Sequence, residues 1–119
     1  MELSELADML DCRNHTHKSL LKREIMYCYA TDMMSDVLKS CKIGALLITG
    51  LVNQQVIHVA EIMDLKGIIF VSGKEPSADM IEKANDNNLP LMTTKKQLFE
   101  TCGILHVVGL RGGEILQDR

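Results

Sequence analysis

Thr31-Asp32 and Ser35-Asp36 put four oxygen-bearing side chains into one short stretch, just after the apolar and aromatic run Ile25–Tyr29. Short oxygen-bearing side chains accept hydrogen bonds from free backbone N–H groups and so start helices. The same oxygens could hold a ligand at the mouth of a strand–turn–helix unit, where open α/β sheets place their ligands. Two early carboxylates suit a helix dipole but repel an anion. They favour a sugar hydroxyl, a base amine or a cation. Both readings, caps and ligand contacts, stand on these residues.

A second group of polar residues closes the later apolar runs: Gly50, Ser72-Gly73 and Thr93-Thr94. Small hydroxylated residues beside glycines are what a phosphate or nucleotide meets at strand ends, and also what any βα turn requires. Neither G-x-G-x-x-G nor a P-loop occurs, and Lys74 is a lone cation beside Gly73. The candidate ligand residues are therefore Thr31, Asp32, Ser35, Gly50, Ser72, Gly73 and Thr93.

His15 and His17, with Cys12 nearby, carry types that bind zinc, but no fourth ligand follows, and a solvated loop is the preferred reading. His58 falls mid-helix and His106 near a helix end, where imidazole suits the dipole. Cys28 lies inside the expected strand, and Cys41 and Cys102 occupy apolar helical positions, so none has a base beside it. Ser35 lacks the flanking glycines of a nucleophile elbow. No catalytic set emerges. The expectation is a non-enzyme with no metal and no cofactor.

These residues must be positioned by a regular alternation. Residues 3–10 repeat Leu3, Leu6, Ala7 and Leu10 as a short amphipathic helix, and 11–18 reads as a polar loop. The pattern predicts a strand over 25–29, a helix over 33–41 begun at Thr31-Asp32, and a helix exit at Gly44. Ala45–Thr49 and Gly67–Val71 are short continuous apolar runs, the mark of parallel strands covered on both faces. Asn53 and Ser77 read as helix caps, and Pro90 opens a short strand ending at Thr93. Thr94 is expected to cap a last helix carrying Leu98, Phe99, Cys102 and Leu105. The order α, then β-α-β-α-β-α-β-α, predicts three α/β/α layers around a mainly parallel sheet of about four to five strands.

Length and composition agree with one domain over 1–119, ending in a loosely held tail over 109–119. The chain has 119 residues, 46% apolar and 24% charged, with net charge −3. No basic stripe is present to neutralise phosphates, which speaks against nucleic acid as a partner. The eight methionines suit an adaptable core. No run reaches the ~18–20 apolar residues of a membrane span. An acidic start and four scattered cysteines without a C-x-x-C pair predict a cytoplasmic protein with reduced thiols.

One resemblance adds to this reading. Arg23-Glu24-Ile25 and Tyr29-Ala30-Thr31-Asp32-Met33-Met34-Ser35-Asp36-Val37-Leu38 resemble the DRTGG domain family, above all the small stand-alone members encoded with bacterial iron hydrogenases. The likeness continues through Ala45–Thr49, Gly67–Pro76 and Leu89–Thr94, covering roughly residues 20–108. It implies a fold similar to the N-terminal domain of HPr kinase/phosphorylase, without kinase machinery. The Thr-Gly-Gly of the family name is replaced by Met26-Tyr27-Cys28, which removes a close backbone approach that glycines permit.

The resemblance further implies a regulatory or assembly role. Such domains accompany CBS domains in regulated pyrophosphatases, where adenine nucleotides are effectors and the DRTGG part helps form the dimer. The expectation is a non-enzymatic module that self-associates as a homodimer and serves a redox or metabolic complex, with Met33 as an exposed interface residue. The alternative is an adenine-nucleotide sensor that binds at the C-terminal ends of the strands.

Overall fold

The structure is a computed structural model that describes residues 1–113. The last part of the expected tail, 114–119, lies outside the described residues. Four parallel strands form the body of the sheet: β2 (Cys28–Ala30), β3 (Leu46–Thr49), β4 (Gly67–Phe70) and β5 (Leu91–Thr93). A two-residue strand β1 (Arg13–Asn14) adds to β5 in the antiparallel sense, giving the order β1-β5-β4-β3-β2. The helices are α1 (Leu3–Met9), α2 (Met34–Ser40), α3 (Gln54–Ile62), α4 (Ala78–Asp86) and α5 (Leu98–Val107), with a 3-10 turn at Lys18–Leu21.

The three-layer α/β/α expectation is met, and strand periodicity explains how. Leu47, Ile68, Phe70 and Leu91 point to one face and pack with Met34 and Val37 of α2, Val56 and Ile57 of α3, and Met80 of α4. Leu46, Ile48, Ile69 and Met92 point to the other, against Leu3 and Leu6 of α1 and Leu105 of α5. Successive strand residues face opposite ways, so both layers draw on the same apolar runs.

Three local expectations need correction. The 11–18 segment is not all loop, because Arg13 and Asn14 pair with Thr93 and Met92. The expected strand 25–29 begins late: Ile25 donates its N–H to the Met1 carbonyl at 2.8 Å, so the first half pairs with the chain start and only Cys28–Ala30 joins the sheet. The beginning of the tail is held. Leu110 is buried, and the Arg111 carbonyl accepts from Cys28 N at 2.9 Å along the outer edge of β2.

Helix ends follow local chemistry where the cap is local. Asn53 Oδ1 accepts from Val56 N at 3.2 Å, and Ser77 Oγ accepts from Met80 N at 3.2 Å, as their spacing predicts. The helix exit expected at Gly44 comes earlier, at the extended residue Cys41, and Gly44 with φ +83° serves the following turn, closed by Ala45 N donating to the Lys42 carbonyl at 3.2 Å.

Candidate functional site at the strand ends

The four long strands pair parallel, so Ala30, Thr49, Phe70 and Thr93 all end at one edge of the sheet. The candidate residues divide along that edge. Thr31, Asp32 and Gly50 lie at the ends of β2 and β3, with Ser35 exposed on the first turn of α2. Ser72, Gly73 and Thr93 lie at the ends of β4 and β5.

Asp32 does not cap α2. The N-cap position is Met33, with no side-chain cap, while Asp32 Oδ1 accepts from Thr49 Oγ1 at 2.9 Å and Gly50 N at 2.7 Å. Thr49 Oγ1 accepts in turn from Leu51 N at 3.0 Å. Thr31 turns back on the chain: its N–H donates to the Ile48 carbonyl at 3.2 Å, and its hydroxyl oxygen accepts from Met33 N at 3.0 Å. The carboxylate thus ties the β2–α2 turn to the end of β3. A partner eighteen residues along the chain outcompetes the local cap.

The β4 turn is equally occupied. Ser72 N donates to the Lys96 carbonyl and Gly73 N to the Thr94 carbonyl, each at 2.9 Å. Both residues have positive φ, and a Cβ on Gly73 would meet nothing within 4 Å, so that glycine serves the turn rather than a close contact. Thr93 Oγ1 donates to the Lys74 carbonyl at 2.7 Å, which leaves it to accept from His15 Nε2 at 2.8 Å and fixes the proton on that nitrogen. Burial lowers the His15 pKa, with a smaller opposing effect from Glu75. Thr94, expected to cap α5, instead donates its hydroxyl to the buried Leu10 carbonyl at 2.7 Å, and Gln97 takes the cap position.

The edge therefore has few free donors. Gly50, Ser72 and Gly73, whose N–H groups would cradle a phosphate, have them bonded within the protein. An incoming ligand would meet side chains: the second oxygen of Asp32, the hydroxyls of Ser35 and Ser72, and the ammonium of Lys74.

Two features went unread in the sequence. Cys28 and Cys102, 74 residues apart in the sequence, both line a small cavity of about 130 Å³ between β2 and α5, with Ile48 and His106. Burial, then the neighbouring Cys102, pushes the Cys28 thiol up to about 12; burial takes Cys12 to about 12 and Cys41 to about 11. Such thiols stay protonated and are poor nucleophiles. Phe99, one of the apolar residues expected on the last helix, stands 85% exposed, as does Val107. Met33 is exposed as expected. Among the described residues, no three His, Cys, Asp or Glu side chains converge as a metal site would need, and no helix is long and apolar enough to cross a membrane.

Comparison with known proteins fits this geometry. The DRTGG domain profile matches residues 5–108, nearly the whole described chain. The chain belongs to the DRTGG domain family. Among solved structures, it is similar to the CBS and DRTGG domains of the regulatory region of Clostridium perfringens pyrophosphatase, determined with the activator diadenosine tetraphosphate. That match has a TM-score of 0.70 at 17% identity, covering 87% of this chain and 45% of the other. The chain thus spans less than half of the pyrophosphatase regulatory region, and the likeness at this identity is one of fold. Among curated proteins, none matches.

Proposed function

We propose that this DRTGG chain is a non-enzymatic regulatory or assembly module that acts by binding protein, itself first, in a redox or metabolic complex. The observation that carries this reading is the composition of α5. The helix is apolar nearly all round, yet only Thr101 and Leu105 are buried, while Phe99 and Val107 stand 85% exposed. A helix with apolar groups on every side is ordinarily covered on every side. Protonated thiols and occupied strand-end amides support a role outside catalysis. Sedimentation of the 119-residue chain from micromolar to millimolar concentration tests it. The expected result is a mass rising toward twice the monomer; a monomer throughout would overturn self-association.

A second reading is an adenine-nucleotide sensor at the strand ends. It is favoured by the nucleotide activator bound to the similar pyrophosphatase region. Here Asp32, Ser35 and Ser72 would face ribose and base, and Lys74 the phosphates. A thermal-shift series with AMP, ADP, ATP and diadenosine tetraphosphate tests it, since a ligand at ~100 times its dissociation constant adds about 2.7 kcal/mol. No shift with any of them removes this reading.

A further inference from the structure

We infer that Cys28 and Cys102 are a modification site, a thiol pair that a small-molecule disulfide oxidises to an internal bond tying the edge strand β2 to α5. This goes beyond the proposed binding role and concerns the side of α5 that faces the sheet. Two independent patterns bring the thiols together. Successive strand residues alternate faces, so Tyr27 and Tyr29 pack toward the layer of α2 and α3, while Cys28 turns to the opposite layer with Leu105 of α5. On α5, Cys102, Leu105 and His106 recur at the three- and four-residue spacing of one helix face, and all three line the cavity that Cys28 lines from the sheet. One thiol enters this space of about 130 Å³ from its floor and the other from its roof. A buried free cysteine is ordinarily a small hydrophobe held by packing. These two are half-buried and border open volume, which leaves room for the side-chain rotation that disulfide geometry demands. Cys12 lines a separate groove beside α1, with Ala7 and Leu21, and meets no second cysteine there.

The exchange runs in two steps. Cys102 gives up its proton, and its sulfur attacks one sulfur of the small disulfide. A bond forms to Cys102 as the small disulfide's own S–S bond breaks, and the departing thiolate takes up the proton. Cys28 then gives up its proton and attacks the Cys102 sulfur, expelling the second small thiol. Two protein thiols are oxidised by two electrons in all, and one disulfide is reduced to two thiols. The order follows from the pair itself: a charge on Cys102 makes Cys28 harder to ionise, so Cys102 ionises first. Burial raises the pKa of both, which slows the first step. The second step is internal, and proximity offsets the scarcity of the Cys28 thiolate.

The test incubates the full chain with glutathione disulfide, blocks the remaining thiols with an alkylating reagent and maps the cysteines by peptide mass spectrometry. The expected product is a linked Cys28–Cys102 peptide from a single chain, with Cys12 and Cys41 alkylated. The Tm should rise by about 10 °C, because the bond closes a long loop, and dithiothreitol should reverse the rise. Cys28→Ser should stop at a glutathione adduct on Cys102, and Cys102→Ser should leave Cys28 free. In urea the pairing should spread over all the cysteines. Three results would overturn the inference: Cys28 and Cys102 both alkylated in the folded chain, either of them paired with Cys12, Cys41 or another copy, or a Cys28–Cys102 bond that fails to raise the Tm.

Discussion

Replacing Asp32 by alanine removes the one acceptor shared by Thr49 Oγ1 and Gly50 N. The two losses differ in size. Gly50 N lies at the surface and can turn to water, so its share is about 0.5 kcal/mol. Thr49 is fully buried, and its hydroxyl would lose the oxygen it donates to, a penalty of about 1–3 kcal/mol. Together, Asp32→Ala should destabilise by about 2–3 kcal/mol, or roughly 8–12 °C in Tm for a chain of this length. Asp32→Asn keeps an oxygen that both donors can reach and forfeits only a solvent-screened charge, so its loss should stay below about 1 kcal/mol. Urea unfolding at fixed protein concentration, followed by circular dichroism with a shared m-value, separates the two variants. If alanine lies within about 0.5 kcal/mol of wild type, or asparagine matches alanine, the carboxylate is not the tie described. The proposed self-association should be indifferent to either change, because Asp32 lies at the sheet edge and not on α5.

Other perturbations probe separate parts of the structure. Burial holds the folded-state pKa of His15 below the ordinary 6.5, so the unfolded chain binds more protons just below that value, and stability should fall as pH drops from 6.5. Urea midpoints at pH 7.5 and 5.5 should show this fall, and His15→Gln should lack that part of it. Gly44→Ala forces a side chain into φ +83° without crowding, the nearest atom being Lys66 Cε at 3.9 Å, and should cost about 1 kcal/mol by urea unfolding. Gly67→Ala instead brings Cβ within 3.3 Å of Leu46 Cδ1 and 3.4 Å of Leu3 Cδ2, an overpacking of about 1–3 kcal/mol. Cys12 and Cys28 should react with a disulfide reagent at pH 7.5 roughly two to three orders of magnitude more slowly in the folded chain than in urea, read by mass spectrometry of each site.

The layers were legible because the apolar runs are contiguous. Ala45–Thr49 and Gly67–Val71 announce strands covered on both faces, and Asn53 and Ser77 announce helix starts within three residues of the N–H they cap. What stayed hidden has partners far along the chain. Arg13 and Asn14 carry no apolar pattern, and their strand exists through backbone pairing to Thr93 and Met92 alone. Asp32 and Thr94 have the chemistry of caps, but the Asp32 carboxylate is claimed by Thr49 and Gly50, and the Thr94 hydroxyl by the Leu10 carbonyl. Residue type told that these groups would be hydrogen-bonded; only the packed fold decides to what.

The same competition bears on where this domain does its work. Topology gathers Thr31, Asp32, Gly50, Ser72, Gly73 and Thr93 at one edge, and the edge then closes on itself. Each Gly50, Ser72 and Gly73 amide satisfied from within is one fewer donor for a ligand, and each such bond stiffens the turns that carry the helices. A rigid edge and an apolar helix left half-covered form a coherent pair. In the proposed self-association, the first fixes the position of α5 through the sheet, and the second offers Phe99 and Val107 to the other copy. Binding then requires little ordering of the domain, so the modest apolar area of one helix face can translate into association. On this argument, loosening the edge with Asp32→Ala should lower fold stability and leave the dimer in place. Replacing the exposed Phe99 and Val107 by charged residues should remove the proposed dimer and leave the fold in place.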